Sequence, residues 1–238
     1  MARTEENRVL KLLIVIPAYN EEENIERVVE ELQSKYRQYD YLIVNDGSRD
    51  RTSEICHRNH YHILDLPINL GLTGAFQTGM KYAYENGYDC VLQFDADGQH
   101  LPKYISMMLE KMEEGYDIVI GSRFVDEKKN KSFRMLGSFL ISKAIRMTTG
   151  RKIADPTSGM RMFNRDMIRE FANNINYEPE PDTISFLVKQ GAEVGEVQVH
   201  MEERIAGESY LNFSRSMKYM MRVLVSILVV QNFRKRNR

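Results

Sequence analysis

Cys90-Val91-Leu92-Gln93-Phe94-Asp95-Ala96-Asp97-Gly98-Gln99-His100 is a short apolar run that opens abruptly into a polar segment. A continuous run of this length reads as a buried strand of a parallel sheet, and the change of character after Phe94 marks its carboxyl end. Two carboxylates one residue apart at such a point can hold a hard divalent cation. Mg²⁺ and Mn²⁺ prefer oxygen ligands, and one or two carboxylates often share the ion with substrate phosphates. The same residues also suit a plain polar turn, because Asp-Gly is a common turn dipeptide and Asp caps helices. The rest of the chain decides between the two.

Toward the N-terminus the same pattern repeats. Leu12-Leu13-Ile14-Val15-Ile16 runs into Pro17, and Tyr41-Leu42-Ile43-Val44 runs into Asn45-Asp46-Gly47-Ser48. Both read as buried strands that end in polar loops. Asn20, with Glu23 three residues on, gives a capping-box-like signal. Ile25, Val28, Val29, Leu32 and Tyr36 follow at helical spacing, so a helix is expected over 21–37. Helices are also expected over 51–59, 73–85 (after Asn69-Leu70-Gly71) and 102–114, with strands at 61–66, 88–94 and 117–120. Strand and helix alternate through the first half, which predicts one α/β domain built on a mostly parallel sheet flanked by helices.

The second half is less regular. A basic stretch, Lys128 to Lys131, precedes an expected helix over 132–148, and residues 155–163 run from a loop into a strand. The acidic, proline-stiffened loop Glu178-Pro179-Glu180-Pro181-Asp182 leads into a helix over 182–190, a strand follows at 194–201, and a last helix begins near Phe213.

The chain has 238 residues, 42% hydrophobic and 28% charged, enough for a sizeable core and ordinary for a globular protein. Cys56 and Cys90 have no metal-type spacing, so a reducing compartment is expected, and no signal peptide is evident. The net charge of −1 conceals an asymmetry: Ser209 to Arg238 carries seven basic residues and no acidic one, leaving −8 on the remainder. Such a tail points to an anionic partner surface, lipid or nucleic acid. No dinucleotide glycine fingerprint and no Gly-Lys-Ser/Thr follows a strand, which argues against a Rossmann dehydrogenase or a P-loop enzyme.

The tail itself is amphipathic. Tyr219 to Phe233 is strongly apolar but interrupted by Arg222, and a spanning helix needs roughly 20 apolar residues. Arg215, Lys218, Arg222 and Ser226 recur at spacings of three and four and form a narrow polar stripe. This pattern suits a helix lying in the interface of an anionic membrane or docking on a membrane partner; a core helix or a dimer contact is the alternative. Residues 1–212 are thus expected to form the globular domain and 213–238 a basic amphipathic helix and tail.

Several motifs in order carry a resemblance. Val15-Ile16-Pro17-Ala18-Tyr19-Asn20-Glu21-Glu22, Val44-Asn45-Asp46-Gly47-Ser48, Asn69-Leu70-Gly71 and Asp95-Ala96-Asp97-Gly98-Gln99-His100 resemble glycosyltransferase family 2, of the GT-A fold. Gly121-Ser122-Arg123-Phe124, Asp155-Pro156-Thr157-Ser158-Gly159 and Glu203-Arg204-Ile205-Ala206-Gly207-Glu208-Ser209 are similar to its polyprenyl-phosphate sugar synthase branch. The resemblance covers roughly residues 9–212.

It implies an inverting, metal-dependent transfer of a sugar from a nucleoside-diphosphate sugar to a polyprenyl phosphate. Pro17, Ala18, Tyr19, Asn20, Glu21, Val44, Asp46, Gly71, Asp95, Ala96 and Arg204 would bind the nucleotide sugar. Asp95, Asp97 and Gln99 would hold Mg²⁺ or Mn²⁺, and Asp97, Arg123, Arg134 and Ser138 would serve the transfer itself. Arg134 and Ser138 share a helix face at i, i+4, and arginine suits phosphate through its planar fork of donors. The family's usual lysine six residues after Arg204 is replaced by Tyr210, which removes a cation from the expected diphosphate clamp.

The implied setting is the cytoplasmic face of the cell membrane, with the protein peripherally bound, a small integral membrane protein or a second copy as possible partner, and no role for nucleic acid. A hydroxyl acceptor would instead require a base, for which Glu180 and Asp182 are the candidates; Asp182 equally suits a helix cap. A non-catalytic nucleotide-sugar-binding subunit is the remaining alternative.

Overall fold

The computed structural model of the chain describes residues 10–126, 133–174, 177–202 and 213–234. Among them are seven strands: β1 (Leu12–Ala18), β2 (Asp40–Asn45), β3 (Ile63–Asp65), β4 (Cys90–Gln93), β5 (Ile118–Ser122), β6 (Arg161–Asn164) and β7 (Val194–Gln198). They form one sheet in the order β3-β2-β1-β4-β6-β5-β7. Neighbours pair in parallel except β6, which runs antiparallel between β4 and β5.

The helices are α1 (Ile25–Lys35), α2 (Thr52–Arg58), α3 (Gly71–Glu85), α4 (Ile105–Glu113, entered through a 3-10 turn at Pro102–Tyr104), α5 (Phe133–Thr149), α6 (Arg165–Asn173), α7 (Pro181–Lys189) and α8 (Phe213–Leu228). The central strands are buried on both faces, which is why they read as continuous apolar runs. Leu13 and Val15 pack with Phe76, Met80, Phe163 and Phe171 on one side of the sheet. Leu12, Ile14 and Ile16 pack with Val28, Val29, Leu32 and Met108 on the other. Fully burying one such side chain contributes about 1.5–3 kcal/mol, so a charge in place of Val29 would lose that contribution and leave an ion in an apolar layer.

Two expectations need correction. α1 begins at Ile25 rather than 21 and ends at Lys35, with Asn24 at its N-cap and no side-chain cap bond. Asn20 sits in the left-handed region at φ +57°. Its backbone N–H donates to Ser48 Oγ at 3.0 Å and its side-chain oxygen accepts from Arg49 N–H at 2.8 Å. Bonds to a neighbouring loop, not a local cap, therefore claim this residue. α6 was not anticipated, although Asn164 caps it by accepting from Met167 N–H at 2.9 Å, and Met167, Ile168 and Phe171 have helical spacing.

α8 buries Val223 and Ile227 in the core shared with α5 and α7. It approaches α5 so closely that a Cβ at Gly137 would overlap the Met220 side chain. Its other side is apolar and exposed: Met217, Met221, Val225 and Leu228 recur every three or four residues, with Val225 50% exposed. α5 likewise exposes Leu136, Phe139, Leu140 and Met147. Neither helix contains an acidic residue and each contains three basic ones. Among the described residues no helix is long and apolar enough to cross a membrane.

Candidate active site

Because β1, β2 and β4 are parallel neighbours, their following loops meet at one edge of the sheet, where ligands of open α/β sheets bind. Asp46 N–H donates to Ala18 O at 2.8 Å and Glu21 N–H donates to Thr52 Oγ1 at 2.8 Å, tying the first two loops together. Asp46 is buried, and its Oδ1 accepts from Leu70 N–H at 2.7 Å, which fixes the start of α3. Gly47 at φ +64° makes this approach possible, since a Cβ there would lie 2.8 Å from the backbone of Ile68 and Asn69. Pro17, Ala18, Tyr19, Asn20, Glu21, Val44 and Asp46 all lie at or just beyond these strand ends, and Gly71 begins α3. Val44 and Ala18 are packed inside, and the Glu21 carboxylate accepts from Asn24 Nδ2 at 2.8 Å.

The segment after β4 is held from within. Asp95 N–H donates to His100 Nδ1 at 2.9 Å, so a neutral His100 carries its proton on Nε2, which lies 3.5 Å from Asp95 Oδ2. Ala96 and Asp97 are buried, and Asp97 Oδ1 accepts from Gln99 N–H at 3.0 Å. Gln99 Nε2 donates to Glu202 O at 3.4 Å. Gly159 lies against this segment, where a Cβ would come within 2.9 Å of Asp95 Oδ2.

As a donor set, Asp95, Asp97 and Gln99 are all hard oxygen ligands. Among the described residues no group of three or more His, Cys, Asp or Glu stands where it could hold a metal by itself. Two carboxylates and an amide fit a cation that shares its shell with a substrate's phosphates, the usual habit of Mg²⁺.

The opposite wall exists because β6 is antiparallel. Its register partner for Gln93, at the end of β4, is Arg161, the first residue of β6. The loop that precedes β6, residues 155–160, is thereby delivered to the same edge as the Asp95 segment. Arg123, just past β5, reaches into it: Nε donates to Asp155 Oδ2 at 2.7 Å and Nη2 to Asp155 Oδ1 at 2.9 Å, a two-pronged pair on a carboxylate with no exposed surface. Burial alone would raise the Asp155 carboxyl, but the Arg123 hydrogen bond and charge hold it below the usual range. Arg123 Nη2 also donates to Thr157 Oγ1 at 3.3 Å, which is in turn 3.3 Å from Ser138 Oγ on α5. The Arg123 charge is therefore largely balanced before any ligand arrives.

Arg161 is buried completely, which lowers its pKa, and it donates to the carbonyls of Pro156 and Pro179. The second of these bonds anchors the acidic loop. Glu180 follows, and burial pushes its carboxyl up despite a hydrogen bond from Tyr219 Oη and the nearby Arg161 charge. Between the two walls lies a cavity of about 530 Å³. Of the expected site residues it brings together Asp95, Gln99, Arg123 and Ser138. Asp97 and the β1 and β2 loop residues do not line it. The Arg134 side chain, Arg204 and Tyr210 lie outside the described residues.

Sequence reasoning missed Gln93, Thr157, Arg161 and Tyr219 as cavity residues. One signal was present: a single arginine between Met160 and Met162 in an apolar strand calls for a buried partner. The ring of His100 supports the Asp95 backbone by accepting its N–H.

Comparison with known proteins adds to this geometry. The family model for Glycosyl transferase family 2 matches residues 13–171. A polyprenol monophosphomannose synthase of Mycolicibacterium smegmatis is 27% identical over 226 residues, covering 90% of this chain and 85% of that one. A UDP-N-acetylglucosamine–dolichyl-phosphate N-acetylglucosaminyltransferase of Methanococcus voltae is 30% identical over 213 residues, covering 79% and 84%. In fold, the chain is similar to glucosyl-3-phosphoglycerate synthase of Mycobacterium tuberculosis, crystallised with Mn²⁺ and UDP-glucose. That likeness has a TM-score of 0.69 at 15% identity and covers 92% of this chain and 79% of the other.

Proposed function

The chain belongs to glycosyl transferase family 2 and is a glycosyltransferase, and from that premise we propose that it moves a sugar from a nucleoside-diphosphate sugar to a polyprenyl phosphate at the cytoplasmic face of a membrane. The observation that carries this reading is a single cavity with the Asp95 segment on one wall and Arg123, Ser138 and Arg161 on the other. The helices that flank the second wall, α5 and α8, expose apolar and basic surface. An acceptor that is anionic at its head and apolar along its tail matches that wall in both respects. The curated relatives named above are likewise polyprenol- or dolichyl-phosphate enzymes.

In this reading the residues at the ends of β1 and β2, the buried Asp46 among them, hold the base and ribose. Asp95, Asp97 and Gln99 hold Mg²⁺ or Mn²⁺, which when bound offsets the charge that develops on the departing diphosphate. An oxygen of the acceptor phosphate attacks the anomeric carbon in line as the bond from that carbon to the diphosphate oxygen breaks, so configuration inverts. No proton moves, because a phosphate monoester is mostly dianionic near neutral pH. Ser138 and Arg123 orient the acceptor head. Arg123 does so as part of its pair with Asp155, which fixes its plane.

A second reading has one observation in its favour. Glu180 lines the cavity with its carboxyl raised by burial, the property of a general base for a hydroxyl acceptor. Incubation with UDP-, GDP- and dTDP-sugars, polyprenyl phosphate and Mg²⁺ or Mn²⁺ tests both. Lipid-linked sugar that Glu180→Gln still forms within about tenfold of wild type supports the phosphate acceptor, since a lost general base costs about 10²–10⁴. No lipid-linked product with any donor would overturn the proposal.

A further inference from the structure

α8 divides its surface sharply. One row, Met217, Met221, Val225 and Leu228, is exposed and apolar. Tyr219, Arg222 and Ser226, also at spacings of three and four, turn instead to the acidic loop ahead of α7. Each carboxylate of that loop has a partner on this row. Tyr219 Oη donates to Glu180 Oε2, Ser226 Oγ donates to Asp182 Oδ2 at 2.6 Å, and Arg222 Nη1 lies 3.7 Å from Glu178 Oε2. Just beyond the helix, Gln231 Nε2 donates to Asp182 O, and the Arg234 guanidinium lies 4.6 Å from the Tyr177 ring centre and 4.7 Å from that of Phe186. The sequence pattern put Arg222 and Ser226 on the polar stripe of an interfacial helix; in the structure both meet carboxylates of the acidic loop.

Glu180 and Tyr219 both line the cavity, at the acceptor wall. We propose that Tyr219 is a positioning residue that holds Glu180 in that wall through α8, so that seating the outer face of α8 on an anionic lipid surface rigidifies the acceptor end of the site and leaves the donor end untouched. The inference rests on the lipid-facing reading of α8. Its physical basis is that one helix carries both faces: whatever immobilises the apolar row also immobilises the hydroxyl that Glu180 accepts from. The donor side is held differently: Leu70 N–H donates to Asp46, Gln99 N–H to Asp97, Asp95 N–H to the His100 ring, and Gln99 Nε2 to Glu202 O, and none of these bonds involves a residue of α8.

Hydrogen exchange on the full chain, with and without vesicles of phosphatidylglycerol and phosphatidylcholine, tests this whether or not the acceptor has been identified. Vesicles are expected to slow exchange over residues 177–184 about tenfold in the wild type, with residues 95–100 unchanged. Tyr219→Phe, which keeps the ring and removes only the hydroxyl, should exchange faster over 177–184 and lose most of the vesicle effect while still binding vesicles. If lipid-linked product forms, Tyr219→Phe should raise the acceptor KM about tenfold with donor affinity unchanged, and the double variant Tyr219→Phe/Glu180→Ala should be no worse than Glu180→Ala. Wild-type exchange over 177–184 in Tyr219→Phe, or defects that multiply in the double variant, would overturn the latch. Absence of lipid-linked product with the exchange pattern intact would overturn the acceptor assignment alone.

Discussion

The donor and acceptor sides of the site are held by different kinds of bond. On the donor side, backbone N–H groups make the bonds: Leu70 N–H fixes the Asp46 carboxylate, Gln99 N–H fixes that of Asp97, and Asp95 N–H donates to the ring of His100. On the acceptor side the bonds run between side chains, or from side chains to distant carbonyls: Arg123 to Asp155, Arg161 to Pro179, Tyr219 to Glu180. A wall built from loop backbone is set once its strands pair. A wall built from side chains on four separate elements is set only when all of them have docked, and it inherits whatever those elements touch outside.

The largest effect that would sharpen this contrast is on the donor side of the site. Asp97→Ala should cut turnover by about 10³-fold while shifting Tm by less than about 4 °C, the change expected from under 1 kcal/mol. A steady-state assay with a thermal melt checks both; a large Tm loss would mean that the segment is structural rather than ligand-directed.

The next effect is on the acceptor wall, and it is one of stability. Asp155→Asn breaks the pair with Arg123. Leaving a buried ion unpaired costs about 3–5 kcal/mol, but Arg123 retains 31% side-chain exposure, so about 2–3 kcal/mol is expected after allowing for solvent screening. Urea unfolding measures it. The two buried carboxylates of this wall should also respond to pH with opposite signs. Asp155 has a lowered folded pKa, so its contribution is complete above the ordinary carboxylate range, near pH 4, and is lost as pH falls through the lowered value. Glu180 has a raised one, so its contribution is complete below that range and is lost as pH rises through the raised value. Stability curves of Asp155→Asn should therefore lack part of the acid limb, and those of Glu180→Gln part of the decline on the neutral side.

The smallest effect concerns the outer face of the acceptor wall. Val225→Asp puts a charge in the exposed row of α8 without touching its core contacts, Val223 and Ile227. Co-sedimentation with anionic vesicles should fall about tenfold, with donor binding and Tm near wild type. Undiminished sedimentation would show that lipid does not meet this row.

How far each wall was legible follows from the same contrast. Asp46, Asp95, Asp97 and Gln99 stood out because each ends or follows an apolar run, and local sequence carries that signal. Their loops meet through parallel pairing, which strand–helix alternation already implies. Arg161 and Tyr219 did not stand out. Their partners are 18 and 39 residues away, in segments whose pairing no local pattern specifies. Glu180 was noticed as a candidate base, but its contact with Tyr219 and its neighbour Arg161 were not foreseeable. Asn20 shows the limit at short range too: a capping pattern was present, yet the loop after β2 offered it better partners.

The sequence by itself determined the α/β class, the strand-end acidic segment, the amphipathic and basic character of the last helix, and the family. All of these depend on periodicity or on residues close together in the chain. Tertiary structure alone decided that β6 runs antiparallel, which carries the 155–160 loop and Arg161 to the strand ends of β4 and β5. It also decided that α8 turns its polar row inward to an acidic loop and leaves its apolar row outward. Strand direction and helix rotation are settled by which buried groups must find partners across the whole fold, and that balance exists only once the chain has closed on itself.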